Sequence, residues 1–274
     1  MKIQFASDLH LEMPRVSNEL PLELVEADVR ILAGDIHKHD SGIKFAAELA
    51  ETGGAPVIYV AGNHEYYRHE YFSTLQAMRD EAAKYDNVHF LENDSVVIGG
   101  VRFLGCTLWV DFTGDGSISI ERNLMFAGML NDFKVIKYGE RRLKPADQIS
   151  FHTKSRKWLT EQLATPFDGK TVVVTHHGPS RLTQHKRFEF DEVSACFLTK
   201  MDNLVEQANL WIYGHSHSNL DTHIGKCRLV SNQCGYPSER VPDHQPFDPG
   251  QPESTGTASC LIGCFEIDRY RSHE

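Results

Sequence analysis

Two things missing from the 274-residue sequence narrow its class: a paired CxxC spacing, and an apolar run of the roughly 18 residues that a membrane-spanning helix needs. Without CxxC pairs a structural zinc knot is excluded. The six cysteines (Cys106, Cys196, Cys227, Cys234, Cys260 and Cys264) are too scattered for a dense disulfide framework, so a reducing cytoplasm is the expected setting. The opening MKIQFASDLH brings in Asp8 before a signal-peptide h-region could develop, so neither export nor a membrane partner is expected. An excess of positive charge is missing too. Lys and Arg number 28 against 38 Asp and Glu, a formal net charge of −10. That is the wrong sign for a broad surface holding nucleic acid. Hydrophobic residues make up 41% and charged residues 24%, the mixture of a globular chain with a sizeable core.

Short β-type runs are abundant: KIQFAS, VRILAG, PVIYVAG, NVHFL, SVVIGGVRFLG, KTVVVTHH, ANLWIYGH, CRLVSN and SCLIGCFEI. Helical patterns fall between the earlier ones, over Gly42 to Thr52, Glu70 to Tyr85 and Pro145 to Ala164, and again over Thr199 to Ala208. Such alternation predicts an α/β layered architecture, and the closely spaced later strands predict a second sheet with antiparallel additions. The expectation is a single domain over residues 1–274 with two packed mixed sheets and outer helices. Residues 112–144, with the amphipathic ERNLMFAGMLNDF, and 179–197, with the charged QHKRFEFDE, read as insertions that cover the site as lids. Residues 236–256, rich in proline and polar groups, read as a surface loop.

The 15 histidines crowd at the ends of apolar runs. Asp8 and His10 follow the first run, Asp35 the second, Asn63 and His64 the third, and His176 and His177 follow TVVV. His215 and His217 sit in WIYGHSHSNL. In extended backbone, residues two apart leave on one face, so each D-x-H or H-x-H pair is predicted to converge. In open α/β sheets strand ends meet at one edge, where ligands bind. Oxygen and nitrogen donors without thiolate suit Mn, Fe, Zn or Ni better than Cu(I). The set is too large for one tetrahedral zinc and suits two metals sharing a carboxylate. Two dications about 3.5 Å apart repel by roughly 19 kcal/mol at an effective dielectric of 20, so an anion must lie between them. Asp35 is the candidate, with a bridging hydroxide.

The motifs D-x-H (Asp8, His10), G-D (Gly34, Asp35), G-N-H-E (Gly62 to Glu65), T-H-H-G-P (Thr175 to Pro179) and G-H-S-H (Gly214 to His217), in this order, resemble those of the calcineurin-like metallophosphoesterase superfamily. The resemblance runs from residue 8 to 217. It implies a four-layer α/β/β/α fold with a dinuclear site at the strand ends. One divalent metal would take Asp8, His10, Asp35 and His217, the other Asp35, Asn63, His176 and His215. His64 would be a catalytic group beside Asp35, facing the substrate with Asn63, whereas His177 would pack or touch a lid. The implied reaction is hydrolysis of a phosphomonoester or phosphodiester of a small metabolite or nucleotide by attack of the metal-bridging hydroxide, with no phospho-enzyme. Two alternatives differ in class: a non-catalytic scaffold on the same fold, and a metal-dependent nuclease, which the acidic charge disfavours.

The sequence departs from the pattern of the protein serine/threonine phosphatases at Lys38, where they carry an aspartate, so His64 lacks its usual partner. The segment Asn232-Gln233-Cys234-Gly235-Tyr236 resembles a family segment that lies near the site, with Asn232 a candidate contact. Lys38, His37, His39, Arg122, Arg141 and Arg142 are candidate anion contacts.

Overall fold

Two early strands, β1 (Lys2–Ala6) and β2 (Val29–Ala33), are buried almost throughout, β2 at every position, so each needs apolar cover on both faces. The computed structural model supplies that cover; it describes residues 1–14, 22, 24–239 and 241, and the backbone of 264–266. In chain order there follow α1 (Ser41–Gly53), β3 (Val57–Val60), α2 (Tyr71–Ala82), β4 (Val88–Phe90), β5 (Asp94–Ile98) and β6 (Val101–Cys106). Next come α3 (Ile120–Ala127), α4 (Asp132–Val135), the two-residue strands β7 (Lys137–Tyr138) and β8 (Arg141–Arg142), α5 (Pro145–Ala164) and β9 (Lys170–Thr175). The last are α6 (Asp202–Val205), β10 (Leu210–Ile212), β11 (Asp221–Ile224), β12 (Cys227–Val230) and β13 (Cys264–Glu266).

The larger strands form two mixed sheets, ordered β13-β1-β2-β3-β4 and β11-β12-β10-β9-β6-β5. In the first, β1 to β4 run parallel and β13 is antiparallel at the edge. In the second, β6, β9, β10 and β12 run parallel between antiparallel edges β5 and β11. Alternate residues divide the faces. Val29, Ile31 and Ala33 meet Val172, Val174 and Ile212 between the sheets, while Leu32 packs toward α1 residues Ile43 and Ala46. On the far side Val173, Trp211 and Leu229 pack on Leu159 of α5 and Val205 of α6. The result is the α/β/β/α layering expected.

Elements α6 and β11, like the short β7 and β8, differ from the sequence reading. The helix expected over Thr199 to Ala208 is a single turn, α6, because the N–H groups of Thr199, Lys200 and Met201 donate to the carbonyls of Gly178, Gly114 and Pro179 on neighbouring segments. Strand β11 was not foreseen, since DTHI carries only one buried apolar residue; it exists by pairing with β12. Segments 112–144 and 179–197 pack on each other, through Phe112, Ala127 and Cys196 and through the ion pairs Arg122–Glu192 and Arg181–Asp115.

Candidate metal centre

The C-terminal ends of β1, β2, β3, β9 and β10 lie at one edge of the two sheets, and backbone bonds tie the loops there together. Asp8 N–H donates to the Gly34 carbonyl (3.0 Å), His10 N–H to that of Asp35 (3.0 Å) and Gly214 N–H to that of His176 (2.9 Å). His215 N–H reaches across the sheets to the Asp8 carboxylate (3.1 Å). The buried Glu65 carboxylate caps the turn by accepting from the N–H groups of Asp35, Ile36 and Gly62 and from the Tyr59 hydroxyl. It does not hold His64; it holds the loops that carry the site.

Backbone geometry differs from the extended form assumed from sequence. Asp8, His10, Asp35, His215 and His217 all have positive φ (56°, 45°, 55°, 75° and 48°). Each non-glycine residue in that region costs about 1–3 kcal/mol and persists only where its surroundings hold it. The paired side chains therefore converge because left-handed residues turn them inward, not because a strand alternates. Space is equally tight around the glycines. A Cβ on Gly62 would lie 2.1 Å from Asp35 Oδ1, and one on Gly34, whose φ is +88°, would lie 2.4 Å from His176 Nδ1.

Donor atoms gather in two groups. Asp8, His10 and His217 form one, with His10 Nε2 and His217 Nε2 3.1 Å apart and His217 Nε2 3.5 Å from Asp8 Oδ1. Asp35, His176 and His215 form the other, with His176 Nε2 3.4 Å from Asp35 Oδ1 and 3.2 Å from Asn63 Oδ1. Atoms held at about 2.1 Å by a common ion lie roughly 3.0 Å apart in octahedral and 3.4 Å in tetrahedral arrangement. The observed separations match, so the residues fit divalent metal. A third group, His10, Asp35 and His64, lies between them.

The second ring nitrogens orient the ligands. His176 Nδ1 donates to the Ala33 carbonyl (2.9 Å) and His217 Nδ1 meets Glu239 Oε2 (2.5 Å), which leaves each Nε2 for the metal. His177 is buried, with Nδ1 facing the Thr107 carbonyl and its ring 4.1 Å from that of His215. Burial and the neighbouring His176 push its pKa down to about 3, so it is a neutral buttress behind His215. Ser216 Oγ accepts from Gln233 Nε2 (3.2 Å).

Charge at the site is set by burial and by the carboxylates. Burial disfavours the His176 cation, but Asp35 and then Asp8 outweigh it and raise its pKa to about 9. For His217, burial is likewise overcome by Asp8 and Glu239, which raise it to about 10. Near neutral pH both imidazoles of the metal-free chain hold protons that ligation must displace. Metal affinity is thus expected to rise with pH up to those values, and binding to release protons. Mn²⁺ titrations in buffers of different ionisation heat should show a buffer-dependent enthalpy; a buffer-independent one would contradict this account.

Several residues at the site were not found from the sequence. Glu12 Oε1 accepts from His64 Nδ1 (2.8 Å) and lies 3.7 Å from His10 Nδ1. It gives His64 a carboxylate partner, and its position two residues after His10 was the available signal. Tyr236, which ends the 232–236 segment expected near the site, does lie there: its ring rests against His10, His64 and His217, with its hydroxyl 3.4 Å from His64 Nε2. The start of the expected 236–256 surface loop is therefore part of the site; 240 and 242–256 lie outside the described residues. Asn232 instead donates to the Phe5 carbonyl (3.2 Å). A cavity of about 870 Å³ opens at Asp35, Asn63, His64, His215 and His217, walled by Leu130 and Asn131 on one side and Lys186, Arg187 and Phe188 on the other. His37, Lys38, His39, Arg122, Arg141 and Arg142 do not line it. Arg141 pairs with Asp147 and Arg142 donates to the Val135 carbonyl, as their positions on β8 require. No helix among the described residues is long and apolar enough to cross a membrane.

The chain is 24% identical over 270 residues to an uncharacterized protein of Acanthamoeba polyphaga mimivirus, covering 87% of this chain and 92% of that one. Among solved structures it resembles a phosphopantetheinyl hydrolase from Mycobacterium tuberculosis, with a TM-score of 0.68, 20% identity, and coverage of 86% of this chain and 90% of that one. A dimetal phosphatase from Danio rerio aligns with a TM-score of 0.44 and 13% identity, over 84% of this chain and 86% of that one. A family model described as calcineurin-like phosphoesterase matches residues 1–219, which include all five strand-end motifs. On that match the chain belongs to the calcineurin-like phosphoesterase family and is a metal-dependent phosphoester hydrolase.

Proposed function

We propose that the chain hydrolyses a small-molecule phosphate ester, a phosphomonoester or phosphodiester of a metabolite or nucleotide, at a dinuclear centre. Asp8, His10, Asp35 and His217 would hold one divalent ion, and Asp35, Asn63, His176 and His215 the other. The observation that carries this reading is the two donor groups, Asp8 with His10 and His217 and Asp35 with His176 and His215, with donor separations of 3.1–3.5 Å, and a third group that joins Asp35 to His10. When bound, such ions supply Lewis acidity toward phosphoryl oxygens and make water nucleophilic at neutral pH. The set of carboxylate, amide and imidazole donors suits Mn, Fe, Zn or Ni, with manganese the first to test.

His64 supplies the proton. Its Nδ1 is held by Glu12, and its Nε2 faces the cavity 3.9 Å from Asp35 Oδ2, where it can donate to a phosphoryl or leaving oxygen. The cavity far exceeds the size of a phosphate group and falls in the range of small-molecule sites. Segments 112–144 and 179–197 act as its lids, with Phe188 and Leu130 toward apolar parts of the ester and Lys186 and Arg187 toward a second anionic group. We place the reaction in a reducing cytoplasm, in keeping with the free thiols of Cys106, Cys196 and Cys227.

The test is a screen of phosphomonoesters and phosphodiesters with Mn, Fe, Zn, Ni and Mg added in turn, with RNA and DNA as further substrates. Metal-dependent turnover of a small ester is the expected result. Cleavage of nucleic acid alone would favour the nuclease, and absence of both bound metal and turnover would favour a scaffold.

A further inference from the structure

Asn63 poses a question that its metal role leaves open: a side-chain amide can turn either its oxygen or its nitrogen to the site. The answer lies behind it, on α4. Asn63 Nδ2 donates to Asp132 Oδ1 (2.9 Å) and to the Tyr67 hydroxyl oxygen (3.0 Å). Tyr67 spends its one hydroxyl proton on the same Asp132 oxygen (2.9 Å), and Gln148 Nε2 donates to the other (2.9 Å). Asp132 is 4% exposed, so these three donors are its solvation. If the Asn63 amide turned over, its carbonyl oxygen would face a carboxylate oxygen at hydrogen-bond distance with no proton between them. Only the NH₂ fits there, and Asn63 Oδ1 is left facing His176 Nε2 at 3.2 Å. A charged acceptor behind the NH₂ also draws electron density onto the amide oxygen, which strengthens an otherwise weak neutral ligand.

We infer that Asp132, backed by Tyr67 and Gln148, is a positioning residue that presents Asn63 Oδ1 to the metal shared with His176. Residues 112–144 are then more than a cover over the cavity, because one buried carboxylate from that stretch is part of the metal centre's foundation. The inference rests on the dinuclear reading above.

The experiment is calorimetric titration of the metal-free full-length chain with Mn²⁺, with bound metal counted by elemental analysis. Wild type should take two ions. In Asp132→Leu one affinity is expected to fall about 10–100-fold while the other stays, the usual size of losing a group that orients a ligand. Asn63→Asp sets two carboxylates against each other and should also weaken binding. The double variant Asn63→Asp with Asp132→Asn exchanges the charge and restores a donor facing an acceptor. It should recover affinity to within roughly threefold of wild type, since contacting residues couple. Should Asp132→Leu fail to fold, the charge-exchanged pair carries the test alone. Wild-type affinities in a folded Asp132→Leu, or a double variant no better than Asn63→Asp, would overturn the inference and leave the dinuclear reading standing. A wild-type chain that takes one ion would overturn both.

Discussion

Asp35→Asn is expected to abolish phosphoester hydrolysis, a loss of at least about 10³-fold in kcat, while the far-ultraviolet circular dichroism spectrum stays that of the wild type. The choice of asparagine isolates the charge. Asp35 sits at φ 55°, a conformation that asparagine tolerates better than other non-glycine residues, and Asn can still accept the His64 N–H that Asp35 Oδ1 receives at 2.8 Å. What it cannot supply is the anion. Asp35 is buried, belongs to the donor groups around both His10 and His176, and is held well below the usual carboxylate range despite its burial, first by His176 and then by His64. Replacing it leaves Asp8 as the only carboxylate in the proposed ligand set, so elemental analysis should find fewer than two ions. Full activity in the folded variant would remove Asp35 from the centre and with it the shared-ligand arrangement.

Legibility in the sequence followed the range of the forces involved. The inter-sheet core was readable because runs such as VRILA and TVVV are buried on both faces, which apolar composition reports directly. The residues of the two donor groups were readable because each follows such a run within a few positions, and parallel strands deliver their ends to one edge. The reason given for the paired side chains was wrong, however. His215 and His217 converge through positive φ, which no local pattern announced. Glu12, Asp132 and Glu239 escaped for another reason. Each acts on a residue brought near by tertiary folding: Glu12 meets His64, 52 positions away, and Asp132 meets Asn63, 69 positions away. Asp132 opens α4 and Glu239 lies in the polar stretch after β12, where nothing in the sequence distinguishes them from solvated surface acids; only Glu12, two residues after His10, carried a signal in its spacing. The six basic residues offered as candidate anion contacts do not line the cavity, since charge alone does not say which way a loop faces. Lys186 and Arg187 reach the cavity because segment 179–197 packs on segment 112–144 and turns them toward it.

His64 and Glu12 carry the second large effect. His64→Ala is expected to lower kcat about 100-fold or more with bound metal retained, because the lost group moves a proton rather than holding an ion. Loss of metal instead would make His64 a ligand, a role the nearby His10–Asp35–His64 grouping permits. Glu12→Gln separates charge from position. Glutamine keeps an acceptor for His64 Nδ1, which now reaches Glu12 at 2.8 Å, so the ring stays oriented. The charge matters because burial disfavours the imidazolium, and Asp35 and then Glu12 raise the His64 pKa in spite of it. Glu12 stays ionised throughout the working range, since the His10 and His64 rings outweigh its own burial and hold it at about 2. The proton-donating form of His64 is fully present below its pKa and is lost as pH rises through it. Removing the Glu12 charge lowers that pKa, so the falling, alkaline limb of the kcat profile should move to lower pH. At the wild-type optimum kcat should drop roughly 10-fold, with KM nearly unchanged. A Glu12→Gln enzyme with both limbs and kcat unmoved would mean that His64 needs no charged partner, and that the aspartate replaced by Lys38 has no functional successor in this chain.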